Sequence, residues 1–430
     1  MTRQTIPLRK QLKSILGGSI GNLVEWYDWY AYSVFSLYFA GAFFPKEDET
    51  AQLLNTAGIF AIGFLMRPVG GWLMGTYSDR YGRKSALTFS VLLMSAGSLL
   101  IALVPDYQKI GIMAPAILVL ARMLQGISIG GEYGTAATYL SEMAPRHLRG
   151  FYSSFQYVTT TMGQLVALGI LMLLQRYLLT TEQLSDWGWR IPFGVGALLA
   201  LSAIYLRRGL SETESFTHET TSLSKRGSVK ELVKYASELR LVIGFTIGLT
   251  VSYYTFTTYM QKFLVNTAGF SKNDATTIMV ITLLVFMIAQ PFLGLLGDRI
   301  GRKRMMILYG ILALLTTYPI LVFLGSTHEF WLATLLIILA MLILSMSTSI
   351  SAIIKAELFP VHVRSLGVSF PYALAVALFG GTAEYVALLF KDKGHAEWFY
   401  WYLTACIALS LWVSITMRDT EKHSTMDEDK

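Results

Sequence analysis

A few charged residues stand inside long apolar runs, and they are where chemistry could occur. Arg67 interrupts Phe-Leu-Met-Arg-Pro, and Arg122 interrupts Val-Leu-Ala-Arg-Met-Leu-Gln. A guanidinium is permanently charged and grips a carboxylate through two parallel hydrogen bonds. Two such cations facing one cavity suit a small dicarboxylate. The competing reading is a structural ion pair with Glu25, Asp28 or Glu132. Those acids are also the candidates for carrying a proton, because all six histidines fall in loops, tails or segment ends. Asn22, Glu25 and Trp29 recur at helical spacing on one face, with Asp28 nearby. Lys355, beside Glu357, could contact a substrate or simply snorkel; Lys262 reads as a snorkelling residue. Tyr157, Thr160, Thr161 and Gln164 form one polar stripe; Tyr254, Thr258 and Gln261 form another, beside Ser252, Thr255 and Tyr259. Of these, Tyr157, Gln164, Tyr254 and Thr258 join Arg67, Arg122 and Lys355 as candidate substrate contacts.

The elements that must position them are membrane helices. The 430 residues are 53% hydrophobic and only 15% charged, with a mean hydropathy of +0.49; a soluble domain carries about 25% charged residues. A large soluble enzyme is excluded on that comparison. Apolar runs of membrane-spanning length occur at 15–43, 53–77, 86–104, 112–141, 152–178, 188–207, 239–264, 274–297, 305–325, 330–356, 365–390 and 397–417. Arg67 lies about 18 Å along its helix from Asp79, near mid-membrane.

The net charge of +7 does not mark a nucleic-acid partner. Lys and Arg gather in alternate short loops, including the stretch from Arg207 to Arg240, as the positive-inside bias requires. The other loops are mixed or acidic, as at Lys46-Glu47-Asp48-Glu49. Both termini, Arg3 included, are therefore expected in the cytoplasm. The single Cys406 excludes an internal disulfide or a cysteine-based metal site. No Gly-x4-Gly-Lys-[Ser/Thr] motif is present for an ATP-driven pump, and no repeated pore loop for a channel. No cofactor or metal is indicated.

Two stretches recur. Gly75-Thr-Tyr-Ser-Asp79-Arg80-Tyr-Gly82-Arg83-Lys84 returns as Gly294-Leu-Leu-Gly-Asp298-Arg299-Ile-Gly301-Arg302-Lys303, shifted by 219 residues. Glu142-Met-Ala-Pro-Arg-His147-Leu-Arg149 returns as Glu357-Leu-Phe-Pro-Val-His362-Val-Arg364, shifted by 215. The expected organisation is a six-helix half over 1–207, a cytoplasmic linker over 208–238, a second half over 239–417 and a polar, mobile tail over 418–430. Parallel repeats around a midplane site are an architecture of secondary transporters. Gly126, Gly130 and Gly134, four apart, read as a close helix-packing stripe. Trp187, Trp189, Trp398 and Trp401 read as interface anchors.

The run from Arg67-Pro68 through Asp79 to Lys84 resembles the hallmark of the major facilitator superfamily. Gly21 to Asp28, Gly126 to Gly134, Glu132 to Glu142, Trp187 to Phe193, Tyr254 to Lys262 and Gly380 to Tyr385 are similar to its metabolite:proton symporter branch. The resemblance implies an all-α, twelve-helix membrane protein of two pseudo-symmetric halves in the inner membrane. It implies a monomeric proton symporter that imports a small anionic metabolite, α-ketoglutarate being favoured; citrate and proline/betaine-type osmolytes are alternatives within the branch. A membrane receptor for such a metabolite is the alternative of another class. The resemblance further implies that Asp79, Arg80, Arg83, Glu142 and Arg149, with Asp298, Arg299, Arg302, Glu357 and Arg364, form a cytoplasmic latch. On the residues themselves, Glu25 and Asp28, then Glu132, are the expected proton carriers.

Overall fold

The computed structural model describes residues 8–44 and 49–428. Arg3 and the Lys46-Glu47-Asp48 segment, placed above in opposite loops, lie outside the described residues. All regular structure among those described is helical, as lipid demands of a chain that must satisfy its backbone internally. Twelve long rods follow one another: α1 (Leu8–Phe43), α2 (Glu49–Tyr81), α3 (Arg83–Leu103), α4 (Met113–Met143), α5 (Arg146–Leu178), α6 (Arg190–Arg208), α7 (Val229–Asn266), α8 (Lys272–Ile300), α9 (Arg302–Ser326), α10 (Phe330–Glu357), α11 (Val361–Lys391) and α12 (Glu397–Thr416). Each of α3 to α12 is long and apolar enough to cross a membrane; α1 and α2 are 36 and 33 residues long.

Helices α1 to α6 pack mainly on one another, as do α7 to α12. The two groups meet along α2 against α11 and α5 against α8, with α4 beside α11 and α5 beside α10. Rods α7 and α11 each contain a widened π turn, at Thr255–Tyr259 and Val376–Gly380. Such turns often mark functional sites, because they redirect side chains within a helix.

Two glycine devices set the geometry. Gly82 and Gly301 hold φ of 102° and 94° at the α2–α3 and α8–α9 corners, a region an L side chain resists. The Gly126/130/134 stripe does pack closely. A Cβ on Gly130 would lie 2.0 Å from the Arg67 carbonyl oxygen, and one on Gly126 2.4 Å from that of Gly63. This contact sets how near α2, and with it Arg67, comes to α4.

Two expectations need correction. Trp189 is fully buried among Phe39, Phe43 and Phe193 rather than anchored at an interface, because it sits at the start of α6, where the aromatic end of α1 covers it. Trp187, Trp398 and Trp401 are about half exposed, as an anchor requires. The tail is seated, at least to Met426. Thr425 Oγ1 donates to the Glu357 and Phe359 carbonyls at the end of α10, and Met426 is buried. An apolar side chain and free helix-end carbonyls gave the tail something to bind.

Candidate functional site

At the end of the molecule that carries the repeated loops, the ten candidate latch residues sort themselves by symmetry. Asp79 accepts hydrogen bonds from the backbone N–H groups of Ser365 (3.0 Å) and Leu366 (2.9 Å). Asp298 does the same with Gly150 (2.7 Å) and Phe151 (3.0 Å). Each carboxylate thus caps the start of a helix in the opposite group, where unpaired N–H groups and the helix dipole favour an anion. Glu142 bridges Arg83 (3.0 Å) in its own group and Arg364 (2.8 Å) in the other. Glu357 likewise binds Arg302 in its own group and Arg149 (3.7 Å) across. The carboxylate and guanidinium groups of these two bridges are almost wholly buried.

Arg80 and Arg299 do not join them. Arg80 donates to the Arg226 carbonyl in the linker (3.0 Å), and Arg299 is exposed. The residue after the aspartate points about 100° away around the helix, whereas Arg83 and Arg302, four residues on, return to its side and pair with it.

Farther into the bundle, Arg67 and Arg122 both lie against the ring of Trp29, at 4.3 and 4.2 Å. Arg67 also stacks on Phe64 (4.1 Å) and donates Nη1 to the Tyr254 hydroxyl (2.8 Å). Its Nε and Nη2 are buried with no acceptor from the protein, and no carboxylate lies within 4.0 Å of it among the described residues. Aromatic faces stabilise a guanidinium without using its donors. Arg122 stacks on Tyr32 (4.2 Å) and donates to Gln125 (2.6 Å).

Next to these cations lies a cavity of about 50 Å³ lined by Trp26, Trp29, Tyr30, Ser33, Phe64, Tyr254, Thr258 and Glu384, with Gly380 and Gly381 of the α11 π turn. Thr258 faces Tyr30 across it (3.3 Å). Tyr157 and Gln164 stand behind: both engage Tyr253, the first edge-on at 5.4 Å and the second by a 3.0 Å hydrogen bond. Lys262 pairs with Glu384 at the cavity rim, so its charge is met by an acid and it does not merely snorkel.

The three acids have different surroundings. Asp28 accepts from Ser98, Ser98 accepts from Gln125, and Gln125 accepts from Arg122. A continuous hydrogen-bond chain therefore joins an acid to the second of these cations. The other oxygen of Asp28 is buried without a partner. Glu25 is held by Ser128 and Ser90. Glu132 pairs neither with Arg67 nor with Arg122 but with Arg207. Arg207, which reads as a loop residue from sequence, is wholly buried and also donates to the Gly17 carbonyl (3.2 Å). Its place beside Arg208 at a helix end hid this role. Lys355 is wholly buried too: it does not snorkel but turns inward to the Tyr133 hydroxyl (2.7 Å).

Sequence reasoning passed over Phe64, Tyr253, Ser90, Ser98 and Ser128. Apolar rings and lone serines are ordinary in membrane spans and carry no signal by themselves.

The chain matches the family model for "Sugar (and other) transporter" over residues 15–225 and again over 211–429. It is 51% identical over 409 residues to the alpha-ketoglutarate permease of Escherichia coli (strain K12), covering 95% of this chain and 94% of that one. It is 34% identical to the citrate-proton symporter of Salmonella typhi, covering 92% and 91%. Among solved structures, the major facilitator proton:xylose symporter XylE superposes with a TM-score of 0.76 at 18% identity, over 97% of this chain and 98% of that one.

Proposed function

The chain belongs to the sugar (and other) transporter family of the major facilitator superfamily, and from that premise we propose that it is an inner-membrane symporter importing α-ketoglutarate with protons. It is a multi-pass membrane transporter with the twelve-helix fold; the substrate, the coupling and the direction are our reading. The observation that carries it is Arg67, a buried cation with two unoccupied donors beside a cavity, sharing the Trp29 ring with a second cation. A dicarboxylate supplies those donors with acceptors and the site with negative charge. Tyr254 and Thr258 offer hydrogen bonds to the keto oxygen. The name of the 51% identical relative supports the same substrate.

Coupling follows from the chain between Asp28 and Arg122. Binding an anion at Arg122 changes the field that Asp28 feels through Ser98 and Gln125, so proton and substrate are taken up together. Glu25, held only by serines, is the second candidate carrier. Glu132, committed to Arg207, is the third.

Movement is by alternating access. The loops with the latch face the cytoplasm, both termini lie on that side, and the halves 1–207 and 239–417 rock about the cations. With the latch made, the cavity between Trp29 and Gly381 is the outward end of the path. Breaking Glu142–Arg364 and Arg149–Glu357 opens the cytoplasmic end.

Uptake of labelled α-ketoglutarate into proteoliposomes under an imposed pH gradient tests this, with citrate, proline and betaine in parallel. Accumulation that collapses with the gradient is expected. Absence of α-ketoglutarate uptake refutes the substrate, and uptake indifferent to the gradient refutes symport.

A further inference from the structure

Below Arg67, on the side of the repeated loops, two tyrosine rings are stacked. Tyr133 of α4 and Tyr372 of α11 lie 3.6 Å apart between centroids and 11° from parallel. One comes from each helix group. A small cavity on one side of the pair is lined by both rings together with Arg67 and Asn22. Lys355 of α10 rests against the same two rings, its Nζ 4.8 Å from the Tyr133 centroid and 4.3 Å from that of Tyr372, and 5.5 Å from that of Phe245.

This amine is fully buried. It has three donors and spends one on the Tyr133 hydroxyl. Three aromatic rings lie around it, and no carboxylate lies within 4.0 Å of it among the described residues. Burying a cation without a counter-ion is expensive, so a buried lysine in this state asks what anion meets it. The protein's nearby acids are already engaged: Glu357, two residues on, binds Arg302 and Arg149.

We propose that Tyr133 and Tyr372 form an inner gate between two anion stations, and that Lys355 is the second station, receiving a substrate carboxylate from Arg67 when the halves part. The inference rests on the dicarboxylate reading above. Parting the helix groups must separate the stacked rings, because α4 and α11 belong to different groups. That motion uncovers the Lys355 amine on the path at the moment the latch opens. A dicarboxylate has an anionic group for each station. Lys355 is in this sense a substrate-binding residue of the inward-facing state alone and is silent while the gate is shut.

The test separates binding from translocation. Lys355→Met keeps the volume and removes the charge, a change that buried sites commonly tolerate. The purified variant is expected to be stabilised thermally by α-ketoglutarate at the same concentrations as the parent protein. Its uptake into proteoliposomes is expected to fall about tenfold in maximal rate with KM unchanged, the signature of an interaction made only later in the cycle. Lys355→Arg should recover most of the rate. Tyr372→Ala, which leaves the amine in place, should speed downhill efflux in the absence of a proton gradient.

Unaltered uptake by Lys355→Met overturns the proposal, as does binding lost together with uptake, which puts Lys355 in the first site. Efflux through Tyr372→Ala at the parental rate overturns the gate even if the lysine variant fails to fold. Failure of the parent protein itself to bind α-ketoglutarate refutes the substrate reading; failure confined to these variants refutes only the gate.

Discussion

Glu142→Gln offers a quantitative view of the latch. The carboxylate is bound by Arg83 through Nε (3.1 Å) and Nη2 (3.0 Å), by Arg364 (2.8 Å) and by the Thr213 hydroxyl (2.6 Å). In the proposed rocking motion Arg83 stays with Glu142, since α3 and α4 move as one. Only the Arg364 contact is made in one state and broken in the other, so only it shifts the equilibrium. A buried, charge-assisted hydrogen bond contributes about 1.5–3 kcal/mol, which corresponds to about a 10- to 150-fold change in the ratio of the two states. The whole-protein cost is larger, about 3–5 kcal/mol, because Arg83, which keeps Asp79, and Arg364 each lose a buried charged partner.

Cysteine accessibility reads the shift. With the buried Cys406 replaced by Ala, Ser33→Cys places one thiol at the cavity. Maleimide should label it rapidly in the latched protein and more slowly with Glu142→Gln, by at most the factor by which the ratio of the two states changes. Equal labelling rates in two folded proteins would refute the assignment of Glu142–Arg364 as a state-dependent contact.

Three further outcomes follow from the geometry. Arg67→Lys keeps the charge but loses the planar fork on Trp29 and Phe64, so α-ketoglutarate uptake should fall at least about tenfold, measured as initial rate at low substrate. Asp28→Asn should abolish accumulation against a gradient while leaving exchange of labelled for unlabelled substrate, since the acid is assigned to coupling and not to the anion. Gly130→Ala presses a methyl onto the Arg67 carbonyl and should cost about 1–3 kcal/mol, seen as a lower melting temperature of the detergent-solubilised protein; an unchanged temperature means that α2 and α4 part at no cost.

Spans, repeats and charged loops were legible because lipid enforces them: a run of about 20 apolar residues has few other uses, and a ten-residue repeat with Gly and Asp at fixed spacing has a geometric reason. Arg67 and Arg122 stood out for the same reason, as charges where charge is costly. Their neighbours did not. That Trp29 serves both cations depends on how α1, α2 and α4 cross, and no spacing within α1 reveals it. Arg207 was hidden in a basic helix end, and its partner Glu132 was therefore weighed against the wrong cations. Snorkelling and a buried role could not be told apart at Lys355 because sequence gives depth along a helix but not which way a side chain turns. Arg80 and Arg299, adjacent to aspartates that cap helices of the opposite group, show that neighbourhood in sequence is a poor guide on a helix.

The central claim is that a dicarboxylate and a proton enter on the same cycle through the Arg67–Arg122 site. Simultaneous recording of labelled α-ketoglutarate and internal acidification, with a pH dye trapped in proteoliposomes, tests it most directly. Adding substrate outside, with no initial pH gradient, is expected to acidify the lumen in fixed proportion to the label taken up, and Asp28→Asn to break that proportion. Label entering the lumen without any accompanying acidification in the parent protein would contradict it.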